Sequence, residues 1–272
     1  MYKNILTVVN QQTFSEAASN YAVHLSKFYN TKLLIFSCLS SKVNAETLKR
    51  TEEHINRVFL QAVKLGVNVE SVMEKGLFFE RLAEKVKEEH IELVFAPITA
   101  GNYKEVLDFD KHIPVSLALV RVVSMAKPHP SNILLPLRGR IKNLGEWEEF
   151  VSAICHAFQS KATIFHIEKI KKSLSGSELR LKLVDLHENL PDNILRILNY
   201  LEGQNIITKK RYGHGKIGRG ITIEAASKKN DLIIMGMSER SILKKLFSED
   251  PTAVVIKETP CNLIIFKPKK VI

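Results

Sequence analysis

The sequence is poor in several features that would mark a particular class of protein. It has three cysteines in 272 residues, Cys38, Cys155 and Cys261, far apart and with no CxxC. They offer no disulfide framework and predict a reducing, cytosolic setting. No apolar run approaches the about 18–20 residues that a membrane helix needs, so no integral membrane protein is expected. Met1-Tyr2-Lys3-Asn4 runs straight into a strand-like segment, which predicts no signal peptide. The nine histidines show no metal spacing, and neither H-E-x-x-H nor G-x-S-x-G occurs. No catalytic constellation is legible, and a non-enzymatic protein is predicted.

What is present is an ordinary globular composition, 45% hydrophobic and 25% charged, at a length that fits one large domain or two of common size. The net charge of +11 is unevenly placed. Residues 1–130 carry 16 Lys and Arg against 14 Asp and Glu, whereas residues 131–272 carry 24 against 15. The basic second half predicts an anionic partner, which charge alone leaves open between nucleotide, nucleic acid and an acidic membrane face; an anionic ligand or an acidic protein partner is the expectation carried forward.

The chain repeats itself. Lys3-Asn4-Ile5-Leu6-Thr7-Val8-Val9 returns as Ser131-Asn132-Ile133-Leu134-Leu135-Pro136-Leu137. Thr31 to Phe36 returns as Ser160 to Phe165, and Ile91 to Pro97 as Asn230 to Gly236. Pro114 to Leu119 returns as Pro260 to Ile265. The offsets drift through 128, 129, 139 and 146, as expected of a duplicated domain with insertions in its second copy. The seam is Lys127-Pro128-His129-Pro130, which predicts domains at 1–127 and 131–272.

In the first half the pattern predicts strands near 3–9, 32–38, 67–73, 91–96 and 115–122, with helices near 15–29, 43–65 and 78–89. Alternation of nearly all-apolar strands with amphipathic stretches implies an α/β fold with helices on both faces of a parallel sheet. Right-handed crossovers make each half a doubly wound, Rossmann-like sheet of five strands. The repeat predicts that the two halves superpose, each with the strand order 3-2-1-4-5. Ligands of such sheets sit beyond the carboxyl ends of the strands, here just after Val9, Pro97, Leu137 and Gly236.

Asn132 to Pro136, Gly220-Ile221, Asp231 to Gly236 and Thr259-Pro260-Cys261 resemble the universal stress protein family in its tandem form. Asp231 to Lys267 is similar to that family's C-terminal stretch, and also to stress-protein domains attached to some membrane transporters. The resemblance implies a carboxylate after strand one that holds a nucleoside. It also implies a G-x2-G-x9-G-[S/T] stretch after strand four that cradles phosphates. Laid on that pattern, the second half keeps only Gly236. Glu239, Glu249 and Asp250 stand at the other loop positions, and Arg138 replaces the carboxylate. The first half has Asn10 and Pro97 at the equivalent places, and its span to the next proline is shorter, 97 to 114 against 236 to 260. No phosphate site is expected there. Asp250-Pro251 reads as the N-cap and first residue of a helix, putting a carboxylate where a phosphate would sit.

Gly213-His214-Gly215-Lys216-Ile217-Gly218-Arg219-Gly220 contains G-x-G-x-x-G, but after a third strand and without the acidic residue about 20 positions on. It reads as a long loop, with a basic loop that touches an anion as the alternative. Arg138, Arg140, Lys216, Arg219, Arg240, Lys244 and Lys245 either converge at the strand ends or are scattered solvated charge. With no interleaved aromatic except Tyr212, nucleic acid is disfavoured. Ser241 to Phe247 is a short basic amphipathic stretch that reads as packing on the sheet.

The reading is a cytoplasmic, universal-stress-type binding or regulatory protein with weak or no ATP binding and no resident cofactor. Arg138, Gly236, Arg240 and Lys244 are its candidate anion-binding residues. The alternatives are a nucleotide-binding protein with slow ATP hydrolysis and a regulatory partner of a membrane transporter. The family's pairing through strand five predicts that 115–122 and 262–267 pair within one chain as a pseudo-dimer. A homo-oligomer would use the same kind of edge.

Overall fold

The computed structural model describes residues 2–137, 143–168, 191–237 and 250–269. The first half contains β1 (Asn4–Val8), α1 (Thr13–Tyr29), β2 (Lys32–Leu39), α2 (Ala45–Lys64), β3 (Val69–Lys75), α3 (Phe78–Glu88), β4 (Leu93–Pro97), α4 (Tyr103–His112) and β5 (Ser116–Arg121). The second contains β6 (Asn132–Leu137), α5 (Leu144–Phe158), β7 (Lys161–Glu168), α6 (Asp192–Gly203), β8 (Thr208–His214), α7 (Ile217–Ser227), β9 (Leu232–Gly236), α8 (Pro251–Glu258) and β10 (Asn262–Lys267). The strands form one ten-stranded sheet, β3-β2-β1-β4-β5-β10-β9-β6-β7-β8. Each half has the expected order 3-2-1-4-5. Pairing is parallel throughout except where β5 meets β10.

The central strands are apolar because both of their faces are covered. Successive residues of β1 serve opposite cores: Ile5 belongs to the one that contains residues of α1, α2, α5 and α6, and Leu6 to the one that contains residues of α3, α4, α7 and α8. The repeat extends to local chemistry. Helices α1 and α5 both stop on a left-handed residue, Asn30 (φ 52°) and Gln159 (φ 54°), one step before the next strand's lead-in. An acid just before strand four captures the amide before strand one in each half. Glu92 accepts from the Lys3 N–H at 2.6 Å. Asp231 accepts from the N–H groups of Ser131 (3.0 Å) and Asn132 (3.1 Å) and from Lys127 Nζ (2.8 Å). Burial alone would raise the Asp231 pKa, but Lys127 and the two amides outweigh it and hold the carboxyl low.

The joint between the halves is also two-fold in its chemistry. Leu119 lies opposite Ile265, and the ladder runs from Leu263↔Arg121 to Lys267↔Leu117. Ser116 and Asn262 open equivalent strands. The Ser116 hydroxyl accepts from the Lys269 N–H at 2.9 Å, and the side-chain Oδ1 of Asn262 accepts from the N–H groups of Val123 (2.8 Å) and Ser124 (3.0 Å). Arg121 and Lys267 close those strands and each crosses to the other half. Arg121 donates to the Ile256 carbonyl of α8, and Lys267 pairs with Asp110 of α4 at 2.7 Å. On the other face Phe150 stacks on Phe266 with centroids 3.9 Å apart and planes 1° from parallel. Asn262 also donates to the Tyr21 hydroxyl at 3.1 Å.

The linker is fastened to both halves. Asn20 of α1 donates to the Pro128 carbonyl at 2.7 Å. His129 packs edge-on to His24 (4.8 Å) and against Phe158 (5.7 Å). Helix α4 was not among the sequence expectations. Its signal is short, with Val106 and Phe109 buried three apart and Asn102 three residues before Glu105. No described helix is long and apolar enough to cross a membrane.

Two outcomes follow from this packing. Phe266→Ala removes a fully buried ring from the joint and is expected to cost about 3–5 kcal/mol, read as a lower urea midpoint with an unchanged slope. His24 is pushed down to about 4, first by burial and then by His129. The unfolded chain therefore binds a proton that the folded chain refuses, from about pH 6.5 down to the folded pKa. Stability should be full above that window and fall as the pH drops through it. In His24→Gln the difference between urea midpoints at about pH 7 and about pH 4.5 should shrink.

Candidate functional site

In each half the place for a ligand lies beyond the carboxyl ends of strands one and four: β1 and β4 in the first, β6 and β9 in the second. Because β5 and β10 are antiparallel, the two clefts open at opposite ends of the common sheet.

In the second half, Leu137 ends β6 and Gly236 ends β9. Buried His166 on β7 holds the Leu137 carbonyl through Nδ1 at 3.1 Å. A Cβ on Gly236 would meet no described atom within 4 Å, so its lack of a side chain leaves the backbone approachable from the cleft. Met235, one residue earlier, is a buried core residue. Of the four candidate anion-binding residues, Arg138, Arg240 and Lys244 lie outside the described residues, as do Arg140, Lys245 and Ser241 to Phe247. Only Gly236 is placed, at the expected strand end. Lys216 and Arg219 are exposed at the start of α7.

The G-x-G-x-x-G run is not a loop. Gly213 lies in β8, Gly218 and Gly220 lie in α7, and only Gly215-Lys216 lies between the two elements. Packing accounts for three of these glycines. A Cβ on Gly213 would come within 2.6 Å of the Phe165 ring, and one on Gly218 within 2.7 Å of Val254 and 3.1 Å of the Pro251 carbonyl. A Cβ on Gly220 would collide with Ile167. They let α7 lie close to α8 and to β7, and no phosphate cradle is needed to explain them.

Both helix starts after strand four carry an internal carboxylate. In the second half Asp250 is the N-cap of α8, with Pro251 at N1, and accepts from the Thr252 N–H at 2.8 Å. The phenol of Tyr103, from the first half, lies close enough to the same carboxylate to feel its charge. Burial raises the Tyr103 pKa and the Asp250 charge raises it further. In the first half Glu105 of α4 folds back on the preceding loop. It accepts from the Thr99 N–H, the Thr99 hydroxyl and Asn102 Nδ2, each at 2.8 Å. Amides and hydroxyls of this kind are what a helix start offers to an anion. Here the chain's own carboxylates already hold them.

The sequence reading anticipated Asp250 as a cap but missed Glu105, whose signal is the Asn102-x-x-Glu105 spacing. It also missed Tyr103, which reaches Asp250 only through the fold. Among the described residues no group of three or more His, Cys, Asp or Glu could hold a metal ion. The thiols are poor nucleophiles. Burial raises Cys38, with Glu74 adding to it, and pushes Cys155 up to about 12 and Cys261 to about 11.

The Asp250 cap predicts a separation between two variants. Asp250→Ala should cost about 1 kcal/mol in urea unfolding, and Asp250→Asn, which keeps the accepting oxygen, should lose only a small part of that.

Residues 147–267 match the Universal stress protein family. No curated protein matches the chain. A universal stress protein from Archaeoglobus fulgidus DSM 4304 is similar over 98% of this chain and 97% of its own, with a TM-score of 0.61 at 11% identity. A functionally unknown protein from Pseudomonas aeruginosa PAO1 is similar over 98% of this chain and 93% of its own, with a TM-score of 0.64 at 11% identity. The cytoplasmic domain of a prokaryotic cation chloride cotransporter is similar over 99% of this chain and 96% of its own, with a TM-score of 0.58 at 10% identity. At such identities the likeness is one of fold. Residues 147–267 thus belong to the universal stress protein family, and the first half repeats the fold of the second, as in the tandem structures that the whole chain resembles.

Proposed function

We propose that the chain is a non-enzymatic binding or regulatory protein of the universal stress type, cytoplasmic, built of domains at 1–127 and 131–272, whose clefts bind ATP weakly or not at all. The observation that carries this reading is the pair of internal carboxylates, Asp250 and Glu105, at the two helix starts where a triphosphate would need free donors. A phosphate placed beside either carboxylate meets a like charge, worth about 1 kcal/mol when solvated and more when dry. Arg138 adds to this by standing where the resemblance implies a carboxylate for the nucleoside.

The second-half cleft is proposed to take a smaller anion, on Gly236 with Arg138, Arg240 and Lys244. A guanidinium offers a fork to phosphate or carboxylate, and the glycine admits close backbone approach. A second reading, a soluble partner of a membrane transporter with the basic half toward an acidic face, draws on the shared fold with a cotransporter's cytoplasmic domain. It is distinguished by a pull-down whose yield falls with salt.

Calorimetric titration with ATP, ADP and AMP is expected to give no dissociation constant tighter than about 100 μM. A micromolar constant for ATP would replace this reading with that of a nucleotide-binding protein. In thermal shifts with phosphate and sulfate, an anion that raises the Tm of the wild type but not of Arg138→Ala supports the cleft assignment. Equal shifts reduce it to nonspecific salt stabilisation.

A further inference from the structure

Between residues 65–91 and 204–230 the two halves share a backbone and differ in charge. These spans align without a gap at an offset of 139. Their elements coincide end for end, β3 with β8 and α3 with α7. The turns coincide too. Gly76 and Gly215 both have positive φ, 147° and 108°, and His90 and Lys229 are both left-handed, at 50° and 51°. The first-half span carries four Lys and Arg against six Asp and Glu, whereas the second carries seven against one. Lys209 stands at the position of Glu70, Arg219 at that of Glu80 and Lys228 at that of Glu89.

The fold does not need this excess. In the first half most of the charges pair locally. Lys85 holds Glu74 (3.1 Å) and Glu88 (2.7 Å), and Lys32 holds Glu70 (2.8 Å) and Glu89 (3.3 Å). In the second half the one acid, Glu224, is taken by Arg211 at 2.9 Å, in a bridge from β8 to α7. Among the described residues, Lys209, Lys216, Arg219, Lys228 and Lys229 have no ion-pair partner, and all five are exposed.

These cations share a face. Lys216, Arg219, Ile223 and Ser227 form the exposed stripe of α7, opposite buried Ile217, Ile221 and Ala225. Lys228 and Lys229 follow at the far end, so the stripe runs about 20 Å with cations at both ends. Side chains alternate along β8, which puts Lys209 on the side of Arg211, where α7 lies. Two isoleucines stand out among the charges. Ile223, at the position of Glu84, is 58% exposed, and Ile207, two residues before Lys209, is 59% exposed.

We propose that this α7/β8 face docks on a membrane surface rich in anionic lipid, with the five cations over the headgroups and Ile223 and Ile207 entering the interface. Unengaged cations spread along one face are drawn to a negative leaflet, and apolar side chains among them gain from burial at the headgroup boundary. Four of the five are lysines, point charges that suit a field of headgroups better than a fork for one carboxylate. The stripe holds no aromatic side chain on which bases could stack, so a nucleic acid would gain from charge alone. The acidic α3/β3 face of a second copy is a poorer fit, because its glutamates are largely held by Lys32, Arg81 and Lys85.

The test is sedimentation of the full chain with vesicles of phosphatidylcholine alone or with about 30% phosphatidylglycerol. The anionic vesicles should bind at least about tenfold more strongly at about 50 mM salt, and binding should be lost at about 500 mM. Lys209→Glu, Arg219→Glu and Lys228→Glu together give the second half the residues of the first, and should weaken binding at least about tenfold. Lys42→Glu, Lys49→Glu and Lys64→Glu change the net charge equally at exposed positions of the first half, and should weaken it less than about threefold. Ile223→Ser, a single exposed change that keeps the test open if the triple variant does not fold, should weaken binding several-fold and leave its salt dependence intact. Equal capture by the two kinds of vesicle, equal losses in the two triple variants, an Ile223→Ser protein that binds as the wild type, or binding of duplex DNA without binding of anionic vesicles overturns the proposal. None of these outcomes depends on what ATP or phosphate does at the strand ends.

Discussion

The antiparallel ladder between β5 and β10 is the constraint on which the rest of the molecule depends. A doubly wound sheet of five strands leaves its fifth strand with unpaired amides and carbonyls on one side. Here each half supplies the other's missing neighbour, and two sheets become one. Because that contact is antiparallel, it reverses the second half relative to the first. The reversal sends the clefts to opposite ends, lays α1 along α5, and brings α4 beside α8. It also makes Arg121 and Lys267 equivalent residues that reach in opposite directions across the joint. Phe150 and Phe266 stack where that joint meets the helical face.

The same geometry shapes the clefts. A helix start with free donors is an anion site unless something fills it. In the second half Asp250 fills it from the helix itself, and Tyr103 arrives from the other half beside that carboxylate. In the first half, where only residues 98–102 separate β4 from α4, Glu105 reaches back onto Thr99. The two halves reach a similar state by different residues. The glycines that resemble a dinucleotide fingerprint serve helix packing instead: Gly218 against Val254 and Gly220 against Ile167.

Much of the fold was legible because its causes are local. Apolar runs such as Ile5 to Val9 and Ile133 to Leu137 name the central strands, and their recurrence at drifting offsets names the duplication. Prolines at 114 and 260 mark the start of equivalent last strands. Asp250-Pro251 reads as a helix start in sequence and is one in the structure. Helix α4 was harder, because its ten residues bury only Val106 and Phe109, too little periodicity to stand out.

The candidate site was less legible, for a different reason. Sequence spacing shows which residues depart from a phosphate-binding pattern, so the losses at Glu239, Glu249 and Asp250 could be read directly. It does not show what a side chain meets across the chain. The Tyr103–Asp250 contact spans 147 positions, and an aromatic groove joins Phe28 to His156 and Tyr200. The sequence by itself determined strand identity, the repeat and the departures from a phosphate-binding pattern at Glu239, Glu249 and Asp250, because each rests on neighbours along the chain. Only the tertiary structure decided which carboxylates occupy the helix starts, why the glycines are glycines, and which aromatic side chains of the two halves line one groove. Those depend on residues that come together only after β5 and β10 have closed the sheet.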